Sequence, residues 1–285
     1  MERMTAMQID RRGFVAGAAA LGATAALPLR AAAATSGDAA AMALLDRHAE
    51  ALLTTYPEQA AFLGIDTGKR AALKSMLSDH SIAGEARRKA DAARRLSELR
   101  AIDLTHLAPP QVKTATVAHE IALDGWRRMP VGDMAFLSAN GYRSTPYVVS
   151  QGNGAFVDVP DLLENKHQIA TSADAEAYLA RMRAYAKELR DETERVKADA
   201  AKGVYLPGFL NDITARQLRD GAAKPAEWSI VTGIGAKLRA AALPDEWSAR
   251  AARIAEQEIA PALAAQADAF VALRPKAPDV AGMWR

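Results

Sequence analysis

The chain has 285 residues, half of them hydrophobic and a quarter charged, with 36 Lys and Arg against 34 Asp and Glu. That balance, with only 6% aromatic residues, offers no basic stripe of the kind that phosphate-backbone binding needs, so nucleic acid is not an expected partner. The absence of cysteine excludes disulfides, thiol catalysis and thiolate metal sites.

Residues 1–34 have the layout of a cleavable export signal. A basic region ends in Asp10-Arg11-Arg12-Gly13-Phe14-Val15, an uncharged Ala/Gly/Leu run extends from Phe14 to Leu29, and Arg30 precedes Ala31-Ala32-Ala33-Ala34. The apolar run is shorter than the ~20 residues a spanning helix needs, which argues against an anchor. Paired arginines ahead of a weakly apolar segment predict the twin-arginine route. Cleavage near Ala34 leaves 32 basic against 32 acidic side chains, so the slight positive balance belongs to the signal. The product is expected to be periplasmic or secreted, with no membrane attachment after cleavage.

Beyond the signal, helical periodicity dominates, and the spacing predicts helices over 39–55, 84–100, 108–127 and 158–167. A long amphipathic helix begins at Thr171 or Ser172, where a hydroxyl caps the first turn and Asp174 and Glu176 complement the dipole. Tyr178, Met182, Tyr185, Leu189 and Val196 form its apolar stripe, with Lys and Arg on the other face, and it ends near Gly203. Helices over 209–220 and 227–241 follow. A last one starts around Pro244 and is kinked or broken at Pro261, which lacks an N–H and crowds the preceding turn. Trp247, Ile254 and Phe270 lie on its apolar face; with Met283-Trp284 they are expected to form an exposed patch for a further domain. The fold class is therefore all-α, a multi-helix array of long amphipathic helices. The exception is about 129–157, with Pro130, Gly132, Asn140-Gly141, Pro146 and Gly152-Asn153-Gly154. It is too punctuated for a helix and is expected as one long irregular loop, with Tyr147-Val148-Val149 its only β-like run. A loop of this length in a helical domain is commonly functional.

Motifs for chemistry are incomplete. His119-Glu120-Ile121-Ala122-Leu123 has the first half of a zincin helix, but Leu123 occupies the place of the second imidazole, and one histidine cannot hold a catalytic zinc. His48, His80, His106 and His167 share no ligand spacing. Val148-Val149-Ser150-Gln151-Gly152 lacks the first glycine of a nucleophile elbow. Gly64 to Arg70 is one residue short of a phosphate loop, and Gly233 to Lys237 lacks the third glycine of a dinucleotide fingerprint.

The segment Tyr147-Val-Val-Ser-Gln-Gly-Asn-Gly-Ala-Phe-Val-Asp-Val-Pro160 is followed by Asp161-Leu-Leu-Glu-Asn-Lys-His167-Gln-Ile169 and Asp174-Ala-Glu-Ala-Tyr178-Leu-Ala-Arg181. It resembles the bacterial domain-of-unknown-function 885 family. Ile259-Ala-Pro261-Ala and Gly282-Met283-Trp284 resemble later segments of the same family. The resemblance implies a large, mostly helical exported protein with a zincin-like, carboxypeptidase-like catalytic half. The family's metal motif, a His-Glu-x-x-Pro-Gly-His type segment with a further Glu, matches no position here. Residues 35–285 are thus expected to be the helical N-terminal part of such a domain, stopping before the metal-binding half. That part is expected to hold no catalytic residue, cofactor or metal and to be inactive alone; zinc is expected only in full-length relatives. Its partners would be the missing C-terminal catalytic half and, in the full-length form, a peptide substrate. Tyr142, Tyr147, Ser150, Gln151 and Asn153 are the candidate substrate-cleft contacts. The same five side chains would also serve to cap helices and satisfy loop backbone. A second reading is a periplasmic helical binding or scaffold module without catalysis.

Overall fold

The structure, a computed structural model, describes residues 36–103, 110–138 and 141–280; the export signal and Met283-Trp284 lie outside the described residues. Helix α1 spans Ser36–Thr55 and is followed by the short α2, Glu58–Phe62, and a 3-10 turn over Gly68–Ser75. Then come α3, Ile82–Arg100, and α4, Pro110–Arg127, which pack against each other. The Ser81 hydroxyl accepts from the Gly84 N–H at 3.0 Å, satisfying one of the four donors a helix start leaves orphaned.

The punctuated segment is largely irregular, but it contains an antiparallel hairpin of β1, Asp133–Ser138, and β2, Gly141–Thr145, with Asp133 opposite Thr145 and Phe136 opposite Tyr142. Tyr147-Val148-Val149, the run with β-formers, carries no strand. Pro146 precedes it and has no N–H to continue a ladder, so the pairing stops one residue earlier. Val148 and Val149 instead turn inward as buried loop residues of the main core.

Helix α5, Ala155–Asp161, contains Pro160 and passes into a wide π turn over Leu162–Lys166. The central element is α6, Ser172–Ala201. Its start is a capping box: the Thr171 side chain accepts from the Asp174 N–H and the Asp174 carboxylate reaches back to the Thr171 N–H. Gly203, at φ +89°, supplies the left-handed residue beyond its end. Tyr178, Leu179, Met182, Tyr185 and Leu189 of α6 are buried in the core. Helices α7, Gly208–Ala222, α8, Ser229–Ala240, α9, Glu246–Ile254, and α10, Ala260–Leu273, complete the array, with α10 packed on both α6 and α7.

One expectation is corrected here: Trp247, Ile254 and Phe270 form no exposed patch, being 3%, 3% and 2% exposed in the same core as Tyr178 and Leu189. At Pro261 the regular α-helix is interrupted rather than ended, with a π turn over Ala255–Ile259 before it and helical backbone resuming as α10. The extra residue in that turn removes the clash between the proline ring and the preceding carbonyl. None of the described helices is long and apolar enough to cross a membrane.

Candidate functional site: a buried ionic cluster beneath a polar cleft

Arg183, Lys187, Arg190, Glu194 and Lys197 form a solvated face of α6, but other charged side chains of the helix turn inward. Arg181, Glu188, Glu192 and Arg195 all lie on this helix and are 0%, 7%, 3% and 4% exposed. A charge inside a protein persists only if paired or neutralised, and these four divide between the two outcomes.

Arg181 is held as a clamp. Its guanidinium donates to the carbonyls of Met76 at 3.1 Å and Leu73 at 3.2 Å and to His167 Nδ1 at 3.1 Å. Because arginine has only donors, His167 Nδ1 must accept, which leaves Nε2–H to donate to the Asp174 carbonyl 3.0 Å away. Burial and the Arg181 charge push the His167 imidazole down to about 3, so it is neutral. This histidine fixes the chain before α6 and has no free nitrogen for a metal.

Arg195 anchors the other end. It donates to Asp133 Oδ1 at 2.9 Å and to the Gly132 carbonyl at 2.7 Å. Arg88 of α3 donates to Glu85 at 2.7 Å, lies 3.4 Å from Asp133 and also donates to the Asp79 carbonyl. Its guanidinium sits over the Tyr56 ring, 6.0 Å from the centroid. Burial by itself would raise the Asp133 carboxyl, but His80, Arg195 and Arg88 outweigh it and hold Asp133 well below the usual range. Gly132, at φ +85°, brings the hairpin against this cluster: a Cβ there would stand 2.2 Å from the Thr145 carbonyl oxygen.

His80 lies between two carboxyl groups of opposite character. Its Nδ1 is 3.3 Å from Asp133, and its Nε2 is 3.5 Å from Glu188 Oε1. Burial and the neighbouring Glu192 push Glu188 well above the ordinary carboxylate range. Burial likewise pushes Glu192 up to about 8, although its Oε1 accepts from the Ala155 N–H at 2.9 Å. The site therefore favours the ionised form of an aspartate on one side of His80 and the protonated form of a glutamate on the other.

Glu188 and His80 open onto a cleft of about 210 Å³. Tyr56, Phe62, Val157 and Leu162 supply its apolar walls, and Glu58, Asp158 and Asp161 supply further carboxylates. The candidate contacts lie elsewhere. Ser150 and Asn153 are buried and bonded to each other through backbone and side chain, and Asn153 Nδ2 donates to the carbonyls of Tyr147 at 3.0 Å and Val148 at 2.9 Å. Gln151 is exposed at the tip of that turn. Tyr147 is half-buried and lines a separate groove with Val204 and Tyr205. Tyr142 is in β2, its side chain outside the described residues.

His119 of α4 is pushed down to about 4 by burial, and Leu123, one turn on, is 1% exposed in a small core with Trp126. These residues do not fit a catalytic zinc, and among the described residues no three His, Asp or Glu side chains are grouped to hold a metal ion.

The family described as "Bacterial protein of unknown function (DUF885)" matches residues 57–283. The chain belongs to this family. No curated protein matches it. A crystal structure described as "the putative lipoprotein from Colwellia psychrerythraea" has the same fold, with a TM-score of 0.76 and 18% sequence identity over 87% of this chain. This DUF885 chain spans 43% of the length of that protein.

Proposed function

We propose that this chain is the exported, helical N-terminal part of a DUF885 protein of the zinc-peptidase type, in which it forms one wall of a peptide cleft. The observation that carries the reading is one of extent: the fold occupying 87% of this chain lies within a solved chain more than twice as long. The metal ligands belong, in this reading, to a C-terminal half that matches no residue here. What this chain's own residues supply is a rigid wall, because the ionic cluster ties α3, the β1–β2 hairpin and α6 into one unit. The exposed Gln151 and the half-buried Tyr147 remain available for contact with peptide or with the C-terminal half.

The purified chain should show no peptide hydrolysis with or without added zinc, and should gain turnover when the C-terminal half of a DUF885 relative is supplied. About one zinc per chain, lost together with activity in His119→Ala, would refute this. A chain that binds no peptide and gains nothing from the added half supports the scaffold reading.

Export rests on Arg11-Arg12 and the weakly apolar run after them. It is consistent with the lipoprotein description of the Colwellia psychrerythraea neighbour. Replacing both arginines with lysine should leave unprocessed precursor in the cytoplasm, as read by fractionation and immunoblotting. Normal processing of the double variant would exclude the twin-arginine route.

A further inference from the structure

The cleft beside Glu188 has a chemistry of its own that does not depend on the peptidase reading. Four carboxyl groups line it, from Glu58, Asp158, Asp161 and Glu188. Three of them are engaged. Glu58 accepts from the Ser78 N–H at 2.6 Å and the Ser78 hydroxyl at 2.7 Å, Asp158 is paired with Arg143, and Asp161 accepts from Asn165 at 2.7 Å. Glu188 differs. Its side chain is 8% exposed, His80 Nε2 stands off at 3.5 Å from Oε1, and Oε2 is buried with no hydrogen-bond partner among the described residues. A buried polar oxygen left unmade costs about 1–3 kcal/mol, so this oxygen is either a liability of the fold or a group waiting for a donor.

The donor that fits is narrowly defined. Around the cleft the carboxylates present acceptors, which suits a group that only donates, and a primary ammonium has three N–H donors and no acceptor. Phe62, Val157 and Leu162 offer an apolar lining for a methylene shaft behind that head. The volume of about 210 Å³ is below the ~300–1,000 Å³ of pockets for drug-sized ligands. We propose that this cleft is a binding site for a primary ammonium on a short aliphatic chain, seated on Glu188 between Glu58 and Asp161, the chemistry of a lysine side chain or a small diamine.

Binding is coupled to a proton. Glu188 faces Glu58 from α2, His80 from the segment before α3, Asp133 from β1, Asp158 from α5 and Glu192 one turn along α6. That company and its burial raise Glu188 well above the ordinary carboxylate range and so favour its protonated form. An arriving ammonium replaces that proton: the cation keeps all three of its N–H bonds, Glu188 becomes a carboxylate, and one proton leaves to the buffer.

The test is titration calorimetry of the purified chain with n-pentylamine, 1,5-diaminopentane, Nα-acetyl-lysine amide, pentanoate and calcium chloride, at pH 7 in two buffers of different ionisation enthalpy. The amines should bind saturably with release of up to one proton, and pentanoate and calcium should not. Preference for acetyl-lysine amide over the diamine would assign the site to protein lysine, and the reverse order to free diamines. Glu188→Gln, which keeps the shape and the neutral state, should weaken amine binding by about tenfold or more, as expected for loss of a charged hydrogen bond. Asp161→Asn, at the exposed rim, should weaken it less and serves if the first variant does not fold. Absence of saturable amine binding, binding without proton release, equal binding of pentanoate, Glu188-dependent binding of calcium alone, or amine affinity unchanged in both variants would each overturn the assignment.

Discussion

Arg195→Ala should destabilise the protein by about 3–5 kcal/mol, the usual result of removing one partner from a buried ion pair. The guanidinium is 5% exposed on its side chain and makes two hydrogen bonds that no other group replaces, to Asp133 and to the Gly132 carbonyl. Arg88 remains near Asp133, but at 3.4 Å and already committed to Glu85, so it cannot take over both roles. Against a total of ~5–15 kcal/mol for a domain, such a loss brings the chain close to unfolding at room temperature. Arg195→Lys should recover only part of it, since an ammonium cannot fork between a carboxylate and a carbonyl. Urea unfolding with linear extrapolation measures the change. A loss below about 1 kcal/mol would mean that water reaches Asp133 and that the cluster is not a closed unit.

Much of the helical frame is legible in the sequence because its local signals agree with its packing. Thr171 and Asp174 announce the start of α6 and form the capping box there, and Gly203 marks its end. The ionic cluster was far harder to read. Arg181 and Arg195 look like the solvated side of an amphipathic helix, and only the three-dimensional position of α6, covered on most sides, makes them buried. One clue was present. Glu188 and Glu192 are like charges at i and i+4, a spacing that is unfavourable on an exposed helix. It becomes tolerable only when burial removes a charge. His80 had no such signal, since it belongs to the cluster through contacts with β1 and α6 that are distant in sequence. The stripe of Trp247, Ile254 and Phe270 misled for the complementary reason: periodicity identifies an apolar face without identifying what covers it, and α6, α7 and α8 cover this one.

The pH dependence of stability should expose the neutral glutamates directly. Glu192 ordinarily ionises near 4.5 and is pushed up to about 8 by burial in the folded chain. Between those values the folded chain holds a proton that the unfolded chain has released. The associated stability is therefore fully present below about 4.5 and is lost as pH rises through about 8, at ~1.4 kcal/mol per pH unit for one proton. Glu188 acts in the same direction. Asp133 acts in the opposite sense: its stabilisation is complete above its ordinary value of 3.8 and fails only in stronger acid. His167 and His119, pushed down to about 3 and about 4, add stability as pH rises toward 6.5. Those of Asp133, His167 and His119 are common to the wild type and to Glu192→Gln, so the difference between the two proteins reports Glu192 together with its effect on the neighbouring Glu188. Glutamine keeps an acceptor for the Ala155 N–H and cannot ionise. The two chains should be of similar stability at pH 5, and the variant should be the more stable at pH 8, by an amount on the order of 4 kcal/mol. Urea midpoints at pH 5, 6, 7 and 8 read the divergence. Parallel curves would show that Glu192 ionises in the folded chain much as it does in the unfolded one, and that the interior beneath the cleft is wet.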